Sequence, residues 1–523
     1  MMSLLLAVAI VAHDPGYYTS LSKHIQRWLT NEGVPAKVET PATMAGALAK
    51  ERLAFLVGFA SPSAAEMKTL KAFRARGGKL VVFHSASPAL AELMGVKPLG
   101  YKAAAYPGQW SRMNFAAMPE GFPKSILQTS SVLQRAVPLK GKGRVIATWA
   151  DRSGRSTGDA AWIATSGGFW MTHVLLADGD EELKAQLLGA IAGSVEPQVW
   201  SAKRHFARKE QSRLRLKNLA LKQVPRAGEI HAVWDHTGCG LYPGNWPKTM
   251  KILEASRVTD LFVNVAGAGF AHYPSAVLAR SKICQLEGDQ LSQCLAAARN
   301  CGIRVHAWIL CFTATRAAAG EMERFKRLGW RLNTVDGKLS EYLNPADARV
   351  GAHLLSAIDE IQSRYALAGI HLDFVRWYER SRKSANATDA VTRFVSSARR
   401  RVKRPKWLTV AVLGKYPQCV ASVGQDWVSW LDMGIVDYVV PMDYTESKST
   451  FEGYLRQHAS TRRHARRTIA GIGVTANESR LDAAGVIEQI NLARKYDLAG
   501  VALFDLDTLL EKSILPYLRL GIW

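Results

Sequence analysis

Two patterns in the 523-residue sequence predict an α/β protein: a C-terminal (β/α)8 TIM barrel preceded by a flavodoxin-like α/β domain. Over residues 229–523, eight short apolar runs alternate with amphipathic helical stretches, and no ninth run follows. Over residues 5–200, strand and helix signals also alternate, which implies a mostly parallel sheet. The chain therefore divides into an accessory domain (1–200), a basic linker (201–228) and the barrel (229–523).

In the first domain, residues 6–12 read as a buried strand. Residues 19–31 carry Leu21, Ile25, Trp28 and Leu29 at helical spacing, and Gly33 closes that helix. Strands follow at 53–57 and 79–83, separated by a helix capped at Ser61 or Ser63 and ended by Gly77 and Gly78. Residues 161–164 and 169–175 read as a final strand pair, and 181–191 as the closing helix. Residues 1–12 are apolar but short for a signal peptide and lack a basic start, so the strand reading is preferred. In the barrel, the strands fall at 230–236, 260–265, 304–310, 369–374, 408–413, 437–442, 468–474 and 500–504.

The 68 basic and 44 acidic residues leave a net charge of +24. That surplus concentrates anions at the surface without choosing among nucleic acid, lipid headgroups and acidic polysaccharide. Residues 201–226 hold Phe206, Leu214, Leu216, Leu219 and Leu221 among many Lys and Arg; a solvated linker helix and a polyanion-binding strip both fit. Basic clusters at 399–406 and 462–467 fall where helices run into strands, away from the catalytic face of a barrel. All six cysteines lie in the second half without CxxC pairs or zinc-ligand spacing, so reduced thiols and no metal are expected. No stretch approaches the ~18 apolar residues of a membrane span.

Barrel enzymes place chemistry at the carboxy ends of strands. Those positions hold Asp235 and His236, Asn264, Asp373 with Arg376 and Glu379, then Asp443 with Tyr444 and Glu446, and finally Asp505 and Asp507. The same rim is rich in aromatics: Trp234, Tyr242, Trp246, Phe270, Tyr273, Trp308, Trp377 and Tyr378. Carboxylates among aromatic faces suit glycoside hydrolysis, in which acids work on the glycosidic bond and rings stack on sugars. A lone strand-end carboxylate is equally a cap or an ion-pair partner. Asp373 stands apart because it follows a strand of apolar residues, Ile370 and Leu372, and precedes Phe374.

At these residues the sequence resembles glycosyl hydrolase-like family ten, a group of bacterial barrel proteins. The motifs that carry the resemblance are HAVWDHTG, AHYPSAVLARS, YLNPADARV, AGIHLDFVRW, QDWVSWLDMGIVDYVVPMDYT and IAGIGV, in this order across the barrel. The resemblance implies cleavage of glycosidic bonds in polysaccharides, peptidoglycan strands being one attested class, and an exported protein. It carries the strand-four aspartate and arginine over to Asp373 and Arg376. The sequence departs from the family at PMDY, which puts Asp443 in doubt. The first domain is similar to glutamine-amidotransferase-like accessory domains. However, its elbow reads His84-Ser85-Ala86 and the domain has no Cys, so that reaction is unavailable; a GxSxG turn for Ser85 is also absent.

The sequence thus points to a glycoside hydrolase needing no cofactor, with Asp373, Asp443 and Glu379 as catalytic candidates. Trp234, Asp235, His236, Asn264, His272, Tyr273, Trp308, Asn344, Arg376, Trp377, Tyr444 and Asp505 are the substrate-binding candidates. The expected partner is a carbohydrate polymer, which the charge surplus allows to be anionic, rather than nucleic acid or a membrane. The amino-terminal domain leaves room for a homo-oligomer contact. The alternatives are a carbohydrate-binding barrel without catalysis and a polyanion-binding surface protein.

Overall fold

The computed structural model describes residues 8–13, 16–106, 108–116, 118–177, 179–382 and 384–523. The chain forms two compact units that part between Arg213 and Leu214, inside the helix Ala202–Leu221. Among the described residues no helix is long and apolar enough to cross a membrane. Residues 6 and 7 of the expected first strand, and most of the segment weighed as a leader, lie outside the described residues.

In the amino-terminal unit, five strands are parallel in the order Ala36–Glu39, Val8–Ala12, Leu53–Val57, Lys79–Phe83, Gly168–Met171. Both faces of this part are apolar. Ile10, Phe55 and Val81 enter one core and Val11, Leu56 and Val82 the other, as parallel strands covered on both sides require. Ser63, not Ser61, caps the helix Ala64–Ala75, in a capping box with Glu66.

The sheet then continues antiparallel through Ser156–Thr165, which holds the expected strand at 161–164, and through Gly143–Ala150, Trp110–Phe115 and Ser125–Ser130, which the sequence reading did not anticipate. Those strands carry buried polar residues that mask an apolar pattern. Gln128, for example, is buried with its amide donating to the Val174 carbonyl at 2.8 Å and accepting from the Leu176 N–H at 2.9 Å. At the elbow, the Ser85 hydroxyl is also buried and donates to the Phe59 carbonyl at 2.5 Å.

The second unit is a closed barrel of eight parallel strands: β1 (Ile230–Asp235), β2 (Asp260–Gly267), β3 (Arg304–Leu310), β4 (Gly369–Asp373), β5 (Trp407–Leu413), β6 (Tyr438–Met442), β7 (Ile469–Gly473) and β8 (Gly500–Phe504). Consecutive strands pair in parallel, and β1 pairs with both β2 and β8, which closes the ring. Each strand falls within two residues of its expected place.

Alternation along the strands sorts the side chains. Ala232, Trp234, Phe262, Trp308, Val440 and Ala502 fill the lumen. Val233, Leu261, Leu372, Val439 and Leu503 pack outward into the core that the surrounding helices share. The two late basic clusters are largely spent on structure: Arg399 and Arg404 pair with Asp437, Arg466 with Asp497, and His464 with Asp432.

At the amino-terminal end of the lumen, Asp260 is fully buried. It accepts from Arg304 Nε at 2.9 Å and Nη2 at 2.7 Å and bonds His306 Nε2 at 2.8 Å. Burial pushes its carboxyl pKa up, but His306 and Arg304 outweigh this and hold it below the ordinary value. The Arg304 guanidinium in turn lies 4.2 Å from the centre of the Trp407 ring. Asp260→Ala would leave the Arg304 guanidinium and the buried His306 without their shared carboxylate, at a cost of about 3–5 kcal/mol. Urea denaturation measures that loss, and a midpoint equal to wild type would contradict it.

Candidate active site

The site is built on the lumen side of the strand ends, where alternation decides which candidates can meet. On β4 the lumen positions are His371 and Asp373. His371 is fully buried and receives the Trp234 indole N–H at 2.9 Å, while its Nδ1 bonds the Thr409 hydroxyl at 2.8 Å. Burial first, and His306 second, hold its pKa well below the ordinary value, so the ring is neutral. Phe262 stacks on His371 at 4.2 Å. This aromatic layer is the floor of the site. Trp234 is part of it, only 1% exposed, and so lies beneath the rim and not on it.

Asp373 sits one layer above. Its main chain is fixed by the Cys311 N–H, which donates to its carbonyl at 2.8 Å, and its carboxylate accepts the Phe374 N–H at 2.6 Å. Burial raises the carboxyl pKa, opposed by the Arg376 guanidinium and the Phe374 and Trp308 N–H groups. Phe374 has φ +52°, a left-handed backbone that costs free energy in a non-glycine residue and here turns the chain sharply after the carboxylate. Arg376 covers the Phe374 ring at 4.4 Å. Tyr342 and Tyr378 stack at 3.9 Å beside it. Tyr342 lies in the YLNPADARV motif but was not singled out from the sequence; nothing in one chain marks a ring in that hairpin as part of the rim.

Asp505 follows β8. Its Oδ1 is buried without a hydrogen-bond partner, and Oδ2 lies 3.9 Å from His236 Nδ1. Burial, then Asp507 and Asp235, push its pKa up to about 7. Tyr444 lies within the fields of both Asp373 and Asp505, and its pKa is raised well above the ordinary value by burial and then by those charges. Its ring stacks on Phe504 at 5.4 Å. Gly473 allows this position, because a Cβ there would stand 2.9 Å from the Tyr444 ring.

On the β2 side, Asn264 is fully buried with neither side-chain polar atom partnered. His272 bonds the Ser281 hydroxyl through Nδ1 at 2.6 Å and keeps a buried, free Nε2. Burial and Arg316 push its pKa down to about 4. Arg316, which the sequence reading did not include, donates to the His236 carbonyl at 2.8 Å and lies over Phe270 at 5.1 Å. Gly238 lets the β1 loop close here, since a Cβ would stand 2.0 Å from the Asn264 carbonyl oxygen.

Other candidates are turned away from the lumen. Asp443 is fully buried on the helix side of β6, with His458 Nε2 at 3.0 Å from both carboxylate oxygens. Asp235 also points outward: it accepts from Thr237 Oγ1 at 2.7 Å and from the Gly238 and Gly240 N–H groups, which shapes the β1 loop. The Tyr273 hydroxyl donates to Glu360 at 3.0 Å within the helix layer. Trp377 packs with Leu332 and Ala387 beneath the rim. Asn344 caps its own turn through the Ala346 N–H. Glu379 is exposed. Of the expected partners of Asp373, Asp443 is committed to His458 and Glu379 is exposed; Asp505, expected to bind substrate, is a desolvated acid following β8.

No family model matches the chain and no curated relative matches it. Among solved structures, α-L-fucosidase isoenzyme 2 from Paenibacillus thiaminolyticus aligns at 12% identity and TM-score 0.40, over 56% of this chain and 48% of that one. The Bacillus cereus spore cortex-lytic enzyme aligns at 11% identity and TM-score 0.35, over 58% and 75%. A chitinase from Rhizomucor miehei aligns at 14% identity and TM-score 0.35, over 55% and 98%. The chain spans about half the length of the fucosidase, and scores at this level carry no weight for activity.

The raised pKa of Asp505 makes stability depend on pH. The folded carboxyl holds its proton more tightly than the unfolded one, so stability falls as pH rises from about 4 to about 7 and stays low above that. The full penalty is at most about 4 kcal/mol. Asp505→Asn removes it. The variant's gain in melting temperature over wild type is expected to be larger at pH 8 than at pH 4; equal gains at both would show that Asp505 is an ordinary surface acid.

Proposed function

We propose that the protein is a glycoside hydrolase whose paired carboxyls are Asp373 and Asp505. The observation that carries this reading is a pair of desolvated carboxyls, one ending β4 and one following β8, each acting on the Tyr444 phenol above an aromatic floor. Glycosidic cleavage needs one carboxyl to protonate the leaving oxygen and a second, ionised, to activate water or attack the anomeric carbon. Asp505, with a pKa near 7, holds a proton close to neutral pH and suits the acid. Asp373, whose anion is favoured by Arg376 and by the Phe374 N–H, suits the ionised partner. The stacked Tyr342 and Tyr378 rings offer an apolar surface to a sugar face.

The reading differs from the sequence expectation in its second carboxyl, since Asp443 is committed to His458 on the far side of the strand. No cofactor enters this chemistry. The two-part division of the chain into an accessory domain and a catalytic barrel belongs to the same proposal.

Hydrolysis of a panel of oligosaccharides, followed by mass analysis of products, tests the activity. Asp373→Asn is expected to lower turnover at least about 100-fold, the lower end of what one positioned acid or base contributes, with little change in melting temperature. A folded Asp373→Asn protein that hydrolyses glycans at the wild-type rate would exclude the assignment.

A further inference from the structure

The β2 side of the site holds buried unpartnered polar atoms and, nearby, a cation that no carboxylate touches among the described residues. Among the described residues no carboxylate lies within salt-bridge distance of Arg316, although burial disfavours its charge. The nearby Asp235 does not neutralise it by contact, because its oxygens are spent on Thr237, Gly238 and Gly240. Of the guanidinium's N–H groups, one is used on the His236 carbonyl, and one face is covered by Phe270. His272, within the field of Arg316, keeps a buried Nε2 without a partner, and Asn264, which meets the same Gly238 turn, has its amide buried without a partner. Each such orphan is destabilising in a finished core. A group of them at a strand-end site instead describes the shape of a ligand that supplies acceptors.

Resting on the hydrolase reading above, we infer that the substrate is an acidic sugar whose anionic group, a uronic carboxylate or a sulfate ester, is taken by Arg316 with Asn264 beside it. A guanidinium edge matches two oxygens of such a group at once, and the Asn264 amide adds a donor from the barrel wall. The remaining orphan acceptor, the Asn264 carbonyl oxygen, suits a neighbouring sugar hydroxyl. The anion also supplies the contact that Arg316 lacks, whereas Arg376 already faces the Asp373 carboxylate.

Calorimetry with the Asp373→Asn protein tests this, using oligogalacturonate and alginate oligosaccharides against their carboxyl-reduced counterparts, and chondroitin sulfate oligosaccharides against desulfated ones. At least one acidic member is expected to bind about 10- to 100-fold tighter than its neutral counterpart, the range of a hydrogen-bonded charge. The carboxyl and sulfate arms identify which anion is recognised. Adding Arg316→Met, which keeps the cover over Phe270, is expected to bring the ratio to about one. Should that variant fail to melt cooperatively, Arg316→Lys, which keeps the charge without the fork, decides by an intermediate ratio. Neutral counterparts that bind as well in every pair, or a preference that survives in a folded Arg316→Met protein, overturn the inference. Acidic preference lost on Arg316→Met in a wild-type protein that hydrolyses no oligosaccharide would sustain the inference and remove the hydrolase reading; hydrolysis of neutral glycans without acidic preference would do the reverse.

Discussion

The hydrogen bond from the Trp234 indole to His371 crosses the barrel lumen, from β1 to β4, and everything above it depends on that closure. The lumen of an eight-stranded barrel is just wide enough for side chains to fill. Here it is filled by rings: Phe262 lies flat on His371, Trp308 meets it edge-on, and Tyr444 and Phe504 stand against Trp234. The bond also fixes the chemistry of His371. With Nε2 accepting and Nδ1 directed to Thr409, and with no water to solvate a charge, the ring stays neutral and gives the carboxyls above it no counter-ion.

A dry floor has a cost that the site retains. Asp373 and Asp505 are both desolvated, and Phe374 holds a left-handed backbone between Asp373 and Arg376. Such arrangements persist only where surrounding structure over-determines them. At the opposite end of the lumen, by contrast, the buried Asp260 carboxylate is held by Arg304 and His306. One end of the barrel thus pairs its buried carboxylate, and the other keeps orphan polar atoms at Asn264, His272 and Asp505.

Much of the barrel was legible before any coordinates. Parallel strands covered on both faces read as unbroken apolar runs, and all eight stood out that way. The same property hid the site. In YVVPM of β6 nothing in the residue types says which alternate positions face the lumen, so Asp443 looked equivalent to Asp373. Asp235 was open to the same misreading. Trp234 gave a usable clue in retrospect: a strand ending Trp-Asp with a lumen tryptophan must turn the next residue outward. In the amino-terminal unit the parallel strands were legible for the same reason, while the antiparallel strands between residues 96 and 150 were not, because buried polar residues such as Gln128 break the apolar pattern that a strand is read by.

The sequence by itself determined the number, order and direction of the barrel strands, and that acids and aromatic residues gather at one end of them. It also determined that Asp373 follows an apolar strand. Only the tertiary structure decided which acids face the lumen, since side-chain alternation turns Asp373 inward and sends Asp235 and Asp443 to the helix side. The same holds for Arg316, a lone arginine in a loop whose meaning rests on what does not reach it. Pairing and its absence are properties of space, and a linear sequence records neither.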